Sequence, residues 1–223
     1  NVAAPGRDLF RDLLALGSRE ANEITDRFPT VQRRVGGYNL DALTPNGPTN
    51  NMAHILVGSE GTLAFTTQVE LKLWPLLGTK VFGVCHFGSF YEAMDATQHL
   101  VKLKPIAVEL VDKTMIALGR DIAMFRPTIE AVVRGEPEAL LIVEFAEESQ
   151  DANFAKLKQL SELMGDLGFG WNNPHRKWGG VVDVTEPAMQ AAITDFRTSG
   201  LNVMMSMKTA GKPVSFVEDC AVP

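Results

Sequence analysis

From residue 79 onward the hydrophobic residues recur with two periods in turn, and nothing else in the chain limits its fold as much. Recurrence at every second residue marks a strand, and recurrence at every third or fourth marks a helix. Residues 80–87, 106–111, 139–145, 179–184 and 213–217 read as strands. Residues 89–103, 151–167 and 186–198 read as helices, and 115–133 holds one helix or two. Local signals agree. Phe90, Ala93, Met94, Leu100 and Val101 fall at helical spacing, and Thr185 with Pro187 forms a helix start.

Strands and helices that alternate in this way imply an α+β layer, with an antiparallel sheet carrying helices on one face. The order suits a split β-α-β, ferredoxin-like arrangement. Periodicity alone leaves a parallel doubly wound sheet open. The upstream part differs in character. Residues 8–28 are helical, with Leu9, Phe10, Leu13, Leu14 and Leu16 on one side and an interruption at Gly17-Ser18. His54-Ile55-Leu56-Val57 is a short apolar run that reads as a strand. Residues 63–73 alternate, with Phe65, Thr67, Val69, Leu71 and Leu73 on one face, and so predict a long strand closed by Pro75.

Composition excludes several classes. The formal net charge of −6 argues against a nucleic-acid footprint. No stretch approaches the ~20 apolar residues of a membrane span. Cys85 and Cys220 form no disulfide framework, and His54, His86, His99 and His175 fall into no metal-binding spacing. No metal site is expected. A cytoplasmic setting fits, at most peripheral to the inner face of a membrane. The chain lacks an initiator Met and stops after an apolar run, so both ends are expected to continue in a longer protein.

Between the two upstream strands lies Gly58-Ser59-Glu60-Gly61-Thr62. Its paired glycines allow a sharp turn and a close approach to a ligand. It is neither a Walker loop nor a dinucleotide fingerprint, because no Gly-Lys-Ser/Thr and no helix follows. Taken alone it suits a plain hairpin turn. Its flanks say more. The segment Arg34-Val35-Gly36-Gly37-Tyr38-Asn39-Leu40-Asp41, the run Ile55 to Leu63, the strand ending at Trp74-Pro75, and the close Phe216-Val217-Glu218-Asp219-Cys220-Ala221-Val222-Pro223 occur in that order. Together they resemble the flavin-linked oxidases and dehydrogenases of the vanillyl-alcohol oxidase type. The nearest branch is the one that oxidises 2-hydroxy acids, including D-lactate and D-2-hydroxyglutarate dehydrogenases and large bacterial forms fused to an iron–sulfur domain.

The resemblance implies that residues 1–76 are the C-terminal part of a PCMH-type FAD-binding domain, and that 79–223 form a substrate or cap domain, incomplete at its C-terminus. It implies FAD as cofactor, and leaves open an iron–sulfur cluster in a separate domain of the parent. The substrate would be a small 2-hydroxy acid of the D-lactate, D-2-hydroxyglutarate or glycolate type, oxidised by hydride transfer to FAD. Electron acceptor and homo-oligomeric state are left open. Gly58, Ser59, Glu60, Gly61 and Thr62 match the loop that lies along the flavin. Arg197 matches an Arg that holds the substrate carboxylate, and Glu218 and Asp219 border the site. Ala64 stands where Gly is usual, and a Lys that some family members carry on the last strand is replaced by an apolar residue near Val217. The flavin pyrophosphate loop, the general base and any metal ligands would lie outside this chain, so the fragment alone is expected to be inactive and to lose FAD. The competing reading is a non-catalytic ferredoxin-like ligand-binding or interaction module. The Gly58–Thr62 loop separates the two, because such a module has no need of it.

Overall fold

A computed structural model describes residues 4–31, 37–45, 47, 51–76 and 78–205. These fall into two compact units, residues 4–73 and 74–205.

The first unit is helical. Helix α1 (Ala4–Arg19) and helix α2 (Ala21–Arg27) are followed by a 3-10 turn at Leu40–Leu43 and by the short helix α3 (Ala53–Leu56). The interruption expected at Gly17-Ser18 does not occur, and α1 runs through to Arg19. Gly17 has a packing role instead, since a Cβ there would lie 2.1 Å from the Leu43 carbonyl oxygen. The missing side chain lets the 3-10 turn press against the helix. The strand expected at His54–Val57 is α3, with Ile55 as its buried residue. The strand expected over 63–73 does not form. Its alternating residues remain exposed, Phe65 at 92% and Leu73 at 84%. Alternation records only which face a strand would bury, and no described strand pairs with this segment to build the ladder.

The second unit is built on a five-stranded mixed sheet in the order β2-β3-β1-β5-β4. Its elements, in chain order, are β1 (Val81–Phe87), α4 (Phe90–Leu100), β2 (Ala107–Asp112), α5 (Lys113–Asp121), α6 (Arg126–Val132) and β3 (Ala139–Phe145). There follow α7 (Gln150–Asp166), β4 (Phe169–Gly170), β5 (Lys177–Val184), α8 (Pro187–Thr198) and α9 (Gly200–Met205). Strand β1 pairs antiparallel with both β3 (Val84 opposite Ile142) and β5 (Val84 opposite Val182). Strand β2 pairs antiparallel with β3.

Two features correct the expected layer. The sheet is not wholly antiparallel, because the two-residue β4 runs parallel to the start of β5. The helices also cover both faces rather than one. Cys85, Phe87, Leu141 and Val143 pack with Ala96 and Leu100 of α4 and Leu157 and Leu160 of α7. Phe82, Val84, Leu140 and Ile142 pack on the other face with Ile116, Ile129, Ile193 and Phe196 of α5, α6 and α8. Strand β1 is therefore buried at all seven positions. A continuous apolar run such as 139–143 carries this information, since a strand exposed on one face would alternate with polar residues.

Helices α4, α5 and α7 start where a side chain caps them, whereas α8, expected to start at Thr185, has Glu186 at its N-cap and no side-chain cap bond. Ser89 accepts from the Glu92 N–H, Asp112 from the Met115 N–H and Ser149 from the Ala152 N–H. Buried Asn153 and Gln190 tie helices to the chain entering β1. Asn153 Nδ2 donates to the Thr79 carbonyl at 2.9 Å and Gln190 Nε2 to the Lys80 carbonyl at 2.8 Å. Glycines mark close contacts in the sheet. A Cβ at Gly83 would meet Leu160 Cδ2 at 2.3 Å, and one at Gly179 (φ 151°) would meet the His86 carbonyl oxygen at 2.1 Å.

Candidate functional site

The expected cofactor loop is a tight structure with a left-handed backbone at three positions: Gly58 (φ 78°), Glu60 (φ 51°) and Gly61 (φ 78°). Nothing lies within 4 Å of a Cβ built on either glycine, so the backbone angle, and not crowding, calls for glycine there. The Ser59 N–H donates to the Leu56 carbonyl, and the Thr62 N–H and hydroxyl both donate to the Ser59 carbonyl, at 2.9 and 2.6 Å. The Thr62 hydroxyl proton is thereby used. Tyr38, whose Oη lies 2.9 Å from Thr62 Oγ1, must be the donor in that contact. Asn39 completes the support, with Nδ2 donating to the carbonyls of His54 (3.2 Å) and Val57 (3.0 Å).

The loop is thus held from outside by the Tyr38-Asn39 pair. Ser59 is buried, while Gly58, Glu60 and Gly61 are exposed. The backbone N–H groups of these three exposed residues meet no acceptor among the described residues. A row of rigid, unpaired donors suits the polar edge of a flat cofactor, because its hydrogen bonds form without further ordering of the chain. Tyr38 and Asn39 were legible as part of a motif but not as supports. The signal was their place in the segment that accompanies the loop.

Arg197 lies in the second unit, in the last turn of α8, where a cation is favoured by the helix dipole. Its Nη1 makes an ion pair with Glu109 Oε1 of β2 at 2.5 Å, and both side chains are about 40% exposed. Glu218, Asp219 and the strand expected at 213–217 lie outside the described residues.

A second polar group in the core carries no mark in the sequence. His86, on β1, is fully buried. Its Nε2 accepts from the Arg134 N–H at 3.1 Å, so its proton is on Nδ1, which donates to the Val84 carbonyl at 2.9 Å. Trp171 and Trp178 meet the ring edge-on at centroid distances of 5.0 and 6.5 Å. The Arg134 guanidinium lies over Trp171 at 5.4 Å. The two tryptophans flank the exposed polar stretch 172–177 and also meet each other edge-on at 5.7 Å. Burial, with a smaller push from the Arg134 charge, lowers the His86 pKa to about 4. Burial raises the Cys85 thiol far above its ordinary value and raises the Asp183 carboxyl.

Two clefts open on the face that carries α6 and α8. One, of about 410 Å³, is lined by Val132, Val182, Asp183, Glu186 and Met189. The other, of about 300 Å³, is lined by Phe125, Thr128, Asp195 and Thr198. Arg197 lines neither. Among the described residues no three His, Cys, Asp or Glu side chains gather as a metal site would need, and no helix is long and apolar enough to cross a membrane.

Comparison with known proteins adds what the described residues do not. Residues 78–223 match the family described as FAD linked oxidases, C-terminal domain. This chain belongs to the FAD-linked oxidase family. Among its curated relatives is a D-2-hydroxyglutarate dehydrogenase of Pantoea ananatis (strain AJ13355). It is 26% identical over 98% of this chain and 22% of that protein. A D-2-hydroxyglutarate dehydrogenase of Escherichia coli (strain K12) is 28% identical over 90% of this chain and 20% of that protein. A D-lactate dehydrogenase of Archaeoglobus fulgidus is 29% identical over 56% of this chain and 26% of that protein. The chain spans about a fifth of the length of the first two relatives.

Proposed function

We propose that the protein to which this chain belongs oxidises a small 2-hydroxy acid of the D-2-hydroxyglutarate or D-lactate type, with FAD as the electron acceptor. The observation that carries the reading is the Gly58–Thr62 loop, with its left-handed backbone and free N–H donors. It fits the edge of a flavin, and a ligand-binding module has no use for it. The names of the relatives supply the substrate class.

In this reading residues 1–76 complete a flavin-binding domain and residues 79–223 form a ferredoxin-like cap over the substrate. The antiparallel order β5-β1-β3-β2 supports the cap assignment. Bound FAD supplies the hydride acceptor. The chain's own residues do the placing. Backbone donors of Gly58, Glu60 and Gly61 take the flavin's polar edge. Arg197 supplies the planar fork that a carboxylate fits. Glu218 and Asp219 border the substrate.

The test is the full-length protein, loaded with FAD and kept anaerobic. Addition of D-2-hydroxyglutarate or D-lactate should bleach the flavin's visible absorbance. A flavoprotein that stays oxidised with D-2-hydroxyglutarate, D-lactate and glycolate would refute the reading.

A further inference from the structure

The Arg197–Glu109 pair is unusual in leaving most of the arginine free. A guanidinium offers five N–H donors in a fixed plane and commonly meets a carboxylate with two of them. Here a single Glu109 oxygen meets Nη1 alone, and Nε and Nη2 have no partner among the described residues. Glu109 is well placed to hold that geometry. It lies opposite Ile142 in the β2–β3 register, on the sheet face that carries α5, α6 and α8. Its backbone is fixed by the ladder, whereas Arg197 extends from a helix end on a long, freely rotating side chain.

We infer that Glu109 is a positioning residue. It fixes the guanidinium of Arg197 through Nη1 and so leaves the Nε–Nη2 edge free to receive the substrate carboxylate in a two-point contact. The inference rests on the proposed reading of Arg197 as the carboxylate clamp. Its physical content is the ordering of a flexible side chain before the substrate arrives, which removes a cost that binding would otherwise carry. A half-exposed, single-contact ion pair contributes little to folding stability, so its loss should show in substrate binding and not in the fold.

The experiment uses the full-length, FAD-loaded protein with D-2-hydroxyglutarate and D-lactate as substrates. Glu109→Ala should raise KM by about tenfold or more while kcat stays within about threefold, because the interaction serves ground state and transition state alike. Flavin content and melting midpoint should not move. Glu109→Gln keeps a carbonyl acceptor for Nη1 and should bring KM back to within about threefold of the parent value. In an Arg197→Ala background, Glu109→Ala should add nothing, as expected for a residue acting through Arg197.

An unchanged KM in Glu109→Ala, beside a raised KM in Arg197→Ala, would overturn this inference alone. An unchanged KM in Arg197→Ala would overturn the clamp reading and this inference with it. A fall in melting midpoint with KM unaltered would show only a tie between α8 and β2. Should Glu109→Ala not fold, Glu109→Asp against Glu109→Gln decides. The shorter acid withdraws its oxygen from Nη1 and should raise KM, and equal values for the two would overturn the inference.

Discussion

His86 makes the stability of the second unit depend on pH in a direction that can be worked out from its contacts. In the folded protein Nε2 accepts from the Arg134 N–H, so a proton added there would face another N–H inside an apolar cluster. The folded ring therefore resists protonation down to about pH 4, against an ordinary value of 6.5. The unfolded chain takes up that proton near 6.5. Above 6.5 both states are neutral and the full stability is present. Below it the unfolded state gains protons first, and stability falls until about pH 4. A shift of this size corresponds to a loss of about 3 kcal/mol across the window. That is a large part of a typical domain's stability. The assay is urea unfolding followed by tryptophan fluorescence, since Trp171 and Trp178 lie against the ring. The comparison is with His86→Gln, which does not titrate. The variant should be less stable at neutral pH, and the gap should narrow by about 3 kcal/mol toward pH 4, while carboxylates common to both proteins cancel. Parallel curves between 6.5 and 4 would refute the assignment of a neutral, hydrogen-bonded His86.

Other perturbations test other parts of the molecule. Asn39→Ala removes both side-chain bonds to the carbonyls of His54 and Val57. It should cost about 1–2 kcal/mol locally and increase loss of flavin from the full-length protein on gel filtration. Gly61→Ala should cost about 1 kcal/mol through its left-handed backbone and likewise weaken flavin retention. Gly83→Ala should destabilise by about 1–3 kcal/mol in thermal unfolding, and trimming Leu160 to Val in the same chain should recover part of that loss. Asp183→Asn should raise the melting temperature at neutral pH, because burial penalises the native carboxylate. Cys85 should resist thiol reagents in the native state and react once the chain is unfolded, because burial suppresses its thiolate.

The second unit was legible in sequence because its apolar runs are long and its caps are explicit. The strand expected at 139–145 is observed at Ala139–Phe145, and the helix expected at 151–167 is observed at Gln150–Asp166. The 115–133 segment resolves into α5 and α6, with Pro127 in the first turn of α6. Strand β4 escaped notice because two residues carry no period. Residues 63–73 misled for the opposite reason, since a perfect alternation states a preference for a ladder without supplying the neighbouring strand. At the site, the loop was found through its glycines, but not its supports. Tyr38 and Asn39 act through hydrogen bonds across 15 to 24 residues of chain, a relation that local pattern does not encode. The Arg197–Glu109 contact spans 88 residues and is equally invisible.

The burial of β1 on both faces bears on how its alignment is enforced. In a sheet with one wet face, sliding a strand by one residue exposes its apolar set, and polarity alone forbids the slip. Strand β1 has such a safeguard only at the hydrogen-bonded His86, because its other side chains would enter an apolar layer on either face. Volume has to do what polarity cannot. Gly83 accepts Leu160 at a spot where any β-carbon would collide, and Gly179 lets its backbone close on the His86 carbonyl. A displaced register would put Phe82 or Val84 where Gly83 belongs. The glycines thus work as keyways: two missing side chains decide which strand residue may stand beside which.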